Sequence, residues 1–166
     1  HNIPFEWPNS VSSQAKNMPI LPIKSKSKRE DWRKLHFVTI DGEDAKDFDD
    51  AVYVEDLGSK GSKIYVAIAD VSSYIPEHSP LDKEAKLRAT SVYLPKVVIP
   101  MLPERLSNDL CSLRPQEDRL TLGVTLNIDT QGKLCSYQFT PSIIHSKARL
   151  TYTEISAMLN HKTPTP

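Results

Sequence analysis

Six acidic side chains fall within the ten residues from 41 to 50: Asp41, Glu43, Asp44, Asp47, Asp49 and Asp50. Carboxylates packed this closely repel one another. The apolar segment that follows, Ala51-Val52-Tyr53-Val54, predicts a folded strand rather than a solvated acidic tail. A cation removes the conflict. Mg²⁺ prefers oxygen ligands, keeps several waters and takes one or two carboxylates together with substrate phosphates, so a surplus of aspartates suits one or two such ions. The chemistry this pattern suggests is phosphodiester chemistry. One ion would lower the pKa of a water while a second stabilises the departing oxygen.

The aspartates are spaced Asp41-x-x-x-x-x-Asp47-x-Asp49-Asp50. In an extended segment Asp47 and Asp49 point to one side and Asp50 to the other, so a turn is needed before all converge, and Gly42 is placed to allow it. An EF-hand counted from Asp41 fails: Ala45 falls at its third ligand position, Lys46 at its glycine and Val52 at its twelfth. The bland reading is a solvated acidic loop ahead of a strand. The five histidines, His1, His36, His78, His145 and His161, lack zinc-ligand spacing. Neither a nucleophile elbow nor a phosphate-binding glycine loop is present.

These residues need a scaffold, and the pattern supplies one. Phe37-Val38-Thr39-Ile40 reads as a strand leading into the acidic run. Residues 51–55 and 64–71 read as an antiparallel pair joined by a loop rich in glycine and polar residues. Ser79-Pro80-Leu81-Asp82 gives an N-cap, a proline at the first helical position and an acid in the first turn, opening a helix to Ala89. Residues 119–129 and 134–144 read as two further strands, and Thr151-Tyr152-Thr153-Glu154 as a capping box opening a last helix. The fold class expected is α+β, a largely antiparallel or mixed sheet with a few helices. Residues 1–36 are expected to be a connector with at most one short helix, around residues 10–17, and a basic run at Lys24, Lys26, Lys28 and Arg29 that reads as solvated linker or phosphate contact. Residues 37–162 form the folded unit and 163–166 a tail.

Composition narrows function less. The 166 residues carry 21 basic and 21 acidic side chains for zero net charge, which neither demands nor excludes a polyanionic partner. Two cysteines, Cys111 and Cys135, are too few for a disulfide framework and fit a reducing compartment, so a cytoplasmic location is expected. No apolar run approaches the roughly 20 residues of a membrane span, no signal peptide is evident, and a first residue other than Met is expected of an excised piece.

The stretch Thr39-Ile40-Asp41-Gly42-Glu43-Asp44-Ala45-Lys46-Asp47-Phe48-Asp49-Asp50-Ala51-Val52 resembles the catalytic signature of the ribonuclease II and ribonuclease R family of exoribonucleases. The resemblance extends through Tyr65-Val66-Ala67-Ile68-Ala69-Asp70-Val71, Ser91-Val92-Tyr93-Leu94-Pro95, Ile99-Pro100-Met101-Leu102-Pro103, the segment 106–113 and Asp118-Arg119-Leu120, covering most of residues 37 to 155. The opening His1-Asn2-Ile3-Pro4-Phe5-Glu6-Trp7-Pro8 is similar to the linker ahead of the ribonuclease R catalytic domain.

The resemblance implies processive hydrolysis of single-stranded RNA from its 3′ end, releasing nucleoside 5′-monophosphates with Mg²⁺, for which Mn²⁺ could substitute. It implies that Asp41 and Asp50 hold a metal against the scissile phosphate and that Asp47 and Asp49 complete the acidic site, with the sharing of a second ion left open. Tyr93 matches a family tyrosine that stacks on the 3′-terminal nucleotide, a sequence-tolerant contact; by itself it would be an ordinary strand tyrosine. Glu43, Asp44 and Asp70 receive no direct role. The basic residues from Lys83 to Arg88 and at Lys96, Arg105, Arg114 and Arg119 suit phosphate contact or plain solvation equally. The family's catalytic domain is roughly twice the length matched, taking ordinary domain sizes as a guide. These residues are therefore expected to be its N-terminal half, inactive alone, lacking an arginine-containing phosphate-binding segment, further aromatic contacts and flanking OB-type folds. A module of the same family that binds RNA or metal without catalysis is the alternative.

Overall fold

A computed structural model describes residues 5–21, 28–95 and 97–161. Lys24 and Lys26 of the basic run, Lys96, the opening residues 1–4 and the tail 163–166 lie outside the described residues.

The alternating apolar segments become strands of one seven-stranded sheet. In chain order these are β1 (Glu30–Asp31), β2 (Val38–Asp41), β3 (Asp50–Asp56), β4 (Ser62–Ala69), β7 (Asp118–Ile128), β8 (Leu134–His145) and β9 (Ala148–Thr151). A separate hairpin pairs β5 (Val92–Leu94) with β6 (Val97–Ile99). The sheet order is β1-β8-β7-β4-β3-β2-β9. Its centre is antiparallel, while the two outer pairs, β1 with β8 and β2 with β9, are parallel. The sheet is thus mixed and the class is α+β, as the pattern of the sequence requires.

Among the described residues three α-helices accompany it: α1 (Asn9–Lys16), α2 (Pro80–Arg88) and α3 (Tyr152–His161). The α2 start carries its expected cap, with the Asp82 amide donating to Ser79 Oγ at 3.2 Å. The α3 start is a reciprocal capping box. The Glu154 amide donates to Thr151 Oγ1 at 3.1 Å, and the Thr151 amide donates to Glu154 Oε2 at 2.7 Å. Among the described residues no helix is long and apolar enough to cross a membrane.

Packing begins well before the boundary expected at residue 37. Val11 and Ala15 of α1 are buried in the same core as Leu81, Leu106, Leu110 and Leu113. Trp32, just after β1, is 5% exposed and stacks on Phe37 with ring centroids 5.9 Å apart. The apolar anchors between 1 and 36 are few and separated by polar residues, and the short helix expected around residues 10–17 supplies two of them. The Trp32 ring lies so close to β7 that a Cβ at Gly123 would meet it at 2.2 Å, which explains a glycine in mid-strand.

One face of the sheet is covered by this aromatic layer, where Trp32, Phe37, Tyr53 and Tyr65 contact one another edge-on, tilted or stacked. Antiparallel pairing places the end of β2 and the start of β3 at the same edge of the sheet, so Asp41 and Asp50 emerge together. The acidic run spans the connection between them.

Candidate active site

The connection is anchored by its one large apolar residue. Phe48 is 8% exposed and sits in the core. Its amide donates to Ser112 Oγ at 3.1 Å, and its carbonyl accepts from the Leu113 amide at 2.8 Å. Ser112, fully buried, in turn donates to the Lys46 carbonyl at 2.8 Å. With Phe48 drawn inward, its neighbours Asp47 and Asp49 are turned to the cleft. The Asp49 carbonyl accepts from the Ala69 amide at 2.8 Å, tying the segment to the end of β4. The turn expected after Asp41 is present, closed by the Ala45 amide on the Gly42 carbonyl at 3.1 Å. The loop is therefore anchored to the fold through Phe48, while Glu43, Asp44, Lys46, Asp49 and Asp50 stay exposed.

Ser112→Ala removes both side-chain bonds and leaves the Phe48 amide buried without an acceptor. The expected cost is about 1 to 3 kcal/mol, read by chemical denaturation with an unchanged slope. A smaller loss would mean that water replaces the hydroxyl.

The structure places Asp47, Asp49 and Tyr93 around one cleft and Asp41 and Asp50 at the adjoining strand ends. Asp41 closes β2 and Asp50 opens β3. Asp47 and Asp49 lie in the loop, and Tyr93 projects from the β5–β6 hairpin to donate its hydroxyl to Asp47 Oδ2 at 2.9 Å. Tyr93 is 65% exposed and separates two clefts. One, about 360 Å³, is lined by Asp47, Asp49, Ala69, Met101, Leu102 and Cys111 among others. The other, about 310 Å³, is more polar and includes Asp44, Asp47, Glu104, Ser107 and Asn108. Ser91, Tyr93 and Ser107 border both.

The electrostatics are those of an anionic site. Partial burial, and then the charges of Asp50 and Asp47, push the Asp41 carboxyl above its ordinary range, with Arg149 opposing them. Burial, and then Asp47, Asp50 and Asp41, push Asp49 upward. The Tyr93 phenol is raised by its hydrogen bond to Asp47 first and by burial second. Cys111, on the floor of the apolar cleft, is pushed up to about 12 by burial, with the Asp49 charge adding to it, and is no thiolate nucleophile.

The donor set fits a hard divalent cation. All four side chains offer carboxylate oxygens, and two of them are held in a state of mutual repulsion that a cation relieves. Among the described residues no three His, Cys, Asp or Glu side chains already converge as a ligand shell. That is compatible with Mg²⁺, which completes its octahedron with water and substrate oxygens.

The other charged residues have mostly internal partners. Asp70 accepts from Ser72 and is paired with Arg29, which also donates to Ser73 Oγ at 2.7 Å; this member of the basic run belongs to the fold. Glu43 accepts from Thr153 Oγ1 at 3.0 Å. Arg88 pairs with Glu84 at 2.9 Å and lies 3.5 Å from the centre of the Trp7 ring. Arg105 and Arg114 pair with Asp109, and Arg119 with Glu117. Ser112, Arg149 and the cleft residues Ser107 and Asn108 were not identified from sequence. For Ser107 and Asn108 the structure offers a reason: they lie on a single wide helical turn, Leu106–Leu110, of a kind with no simple sequence period.

Comparison with known proteins agrees with this geometry. Residues 29–166 match the RNB domain family. The chain is 52% identical over 160 residues to ribonuclease R of Vibrio parahaemolyticus, covering 96% of this chain and 19% of that protein. It is 51% identical over 156 residues to ribonuclease R of Escherichia coli, covering 93% and 19% respectively. The structure of Mycoplasma genitalium RNase R in complex with ribose-methylated single-stranded RNA superposes with a TM-score of 0.90 at 39% identity, over 98% of this chain and 26% of that one. The chain thus spans about a fifth of the length of these curated relatives. With the acidic signature, the mixed sheet that presents it and these matches in agreement, the chain belongs to the RNB-domain family, the family of ribonuclease R.

Proposed function

We propose that this chain is the acidic half of the catalytic domain of a cytoplasmic 3′ to 5′ exoribonuclease that hydrolyses single-stranded RNA to nucleoside 5′-monophosphates with Mg²⁺. The observation that supports this reading is the Phe48-anchored loop, which presents Asp47 and Asp49 to a cleft that Tyr93 also lines, with Asp41 and Asp50 at the neighbouring strand ends. Asp41 and Asp50 would hold a divalent ion, and Asp47 and Asp49 would complete the acidic site around it. Such an ion, when bound, supplies an acidified water and neutralises developing charge on the phosphate. The protein's own part is placement. Asp47 accepts the Tyr93 hydroxyl and so orients the ring, whose exposed face offers a stacking surface to the 3′-terminal base. Met101 and Leu102 form an apolar wall of the cleft that Asp49 lines.

The relatives reported above are named as ribonucleases, and the one seen with single-stranded RNA has the same fold. RNA as substrate is inferred for this chain on that basis and on the stacking surface. The test is product analysis by the complete protein on single-stranded RNA of mixed sequence. The reading expects nucleoside 5′-monophosphates released from the 3′ end, and internal cuts or 3′-monophosphates would reject it.

Tyr93→Ala should weaken capture of the terminal nucleotide roughly 5- to 150-fold, the range of one lost base–aromatic stack of about 1 to 3 kcal/mol, and should alter the length of the final product. Tyr93→Phe keeps the ring and loses only the bond to Asp47, so its product length should match the unmodified protein. If Tyr93→Ala gave the same end products at the same rate, the ring would have no place in the site.

A further inference from the structure

We infer that Arg149 is a positioning residue of the acidic site, holding the turn after Asp41 so that Asp41 and the Asp47–Asp50 segment face the same ion. The purpose assigned to the site rests on the functional reading above; the contacts do not.

Arg149 lies on β9, paired directly with Thr39 of β2, and two residues on Thr151 pairs with Asp41. Its side chain reaches the turn beyond the strand end. Nη2 donates to the carbonyl of Gly42 and to the carbonyl of Glu43, both at 2.6 Å. Those are the first two carbonyls after Asp41, where the chain must change direction before Asp47. The guanidinium also lies 5.8 Å from the centre of the Phe48 ring, the anchor of the same loop. One side chain therefore touches the turn and the plug that together set the loop's path.

Arg29, Arg88 and Arg119 also donate to backbone carbonyls, so what sets Arg149 apart among the described residues is the missing carboxylate partner. The chain has seven arginines. Arg29, Arg33, Arg88, Arg105, Arg114 and Arg119 each pair with a carboxylate. Arg149 stands beside the densest group of acids in the sequence, yet among the described residues it forms no ion pair and uses its hydrogen bonds on backbone carbonyls. A guanidinium bonded to an aspartate would compete with a cation for that carboxylate. Directed at carbonyls, it braces the loop and leaves the carboxylates to the ion. Its Nε is buried without a partner, as is Oγ1 of Thr39 across the strand pair, so this placement is kept although a buried donor and a buried acceptor go unused.

Arg149→Lys and Arg149→Ala test the assignment by two readouts on this chain. Amide exchange in residues 43–49 should rise roughly 10-fold or more while exchange in β7 and β8 stays unchanged, because one local brace is lost. The Mg²⁺ concentration that gives half of the thermal shift should rise by roughly 10-fold, the lower end of the range for partners that orient ligands, with little change in the metal-free melting temperature. Lys keeps the charge but lacks the planar fork, so it should not restore either value. If Ala prevents folding, the Lys variant decides alone. Exchange that rises equally everywhere, an unmoved Mg²⁺ midpoint or full rescue by Lys would each overturn the proposal. If the unmodified chain gave no Mg²⁺ shift, that would count against the metal reading of the site, and the exchange measurement would still judge Arg149.

Discussion

Asp49→Asn is expected to abolish detectable RNA shortening by the complete protein, with a loss of at least the roughly 10²- to 10³-fold that follows removal of a single group stabilising the transition state, while RNA binding is almost unchanged. The side chain keeps its shape and loses the charge that the proposed ligand role requires. The same substitution should stabilise the metal-free chain. The Asp49 carboxyl is pushed above its ordinary range by burial first and then by Asp47, Asp50 and Asp41. A carboxyl raised in the folded state favours folding below its unfolded pKa of about 3.9 and loses that contribution as pH rises through its folded value. Near pH 7, then, the ionised Asp49 works against folding, so Asp49→Asn should melt higher in chelator. Near pH 3 both carboxyl and amide are neutral, and the difference should vanish. A variant that lost activity and also melted lower at neutral pH would place Asp49 in the scaffold, and substantial residual cleavage would remove it from the reaction.

Phe48→Ala has the largest expected effect on stability. It removes a ring that is 8% exposed from the core cluster and leaves a cavity beneath the acidic loop, for an expected loss of about 3 to 5 kcal/mol. The local consequence is larger than the global one. Without the ring, nothing apolar holds the segment between Asp47 and Asp49 inward, and the two carboxylates are free to separate. Phe48→Leu should recover most of the stability, since volume and apolar character are largely kept. Denaturation midpoints of the three proteins check the order, and an alanine variant as stable as the leucine variant would show that the ring is not an anchor.

That anchor also shows how far the sequence could be read. Strand alternation and caps are local signals, so the β3–β4 pair, the long β7–β8 hairpin and the capped starts of α2 and α3 were legible in the residues themselves. The acidic signature was legible because six like charges beside an apolar strand need a physical explanation. What holds it in place was not. Ser112 meets the loop from 64 residues away, and Arg149 from 107. Neither contact has a sequence period, because each depends on strand order, with β9 adding in parallel to β2 at the sheet edge. Phe48 carried a readable hint, as a lone aromatic inside an acidic run. The short edge strand β1 and the apolar anchors of α1 were lost in a proline-rich, polar context for a similar reason: two residues of strand carry no alternation to detect.

The most direct test of the central claim is cleavage of a 5′-labelled single-stranded RNA by the complete protein, with and without Mg²⁺, beside the Asp49→Asn protein. The account predicts stepwise shortening from the 3′ end that requires the cation and disappears in the variant. RNA that is bound and retained at full length in Mg²⁺, or shortening that persists in chelator or with Asp49→Asn, would contradict it.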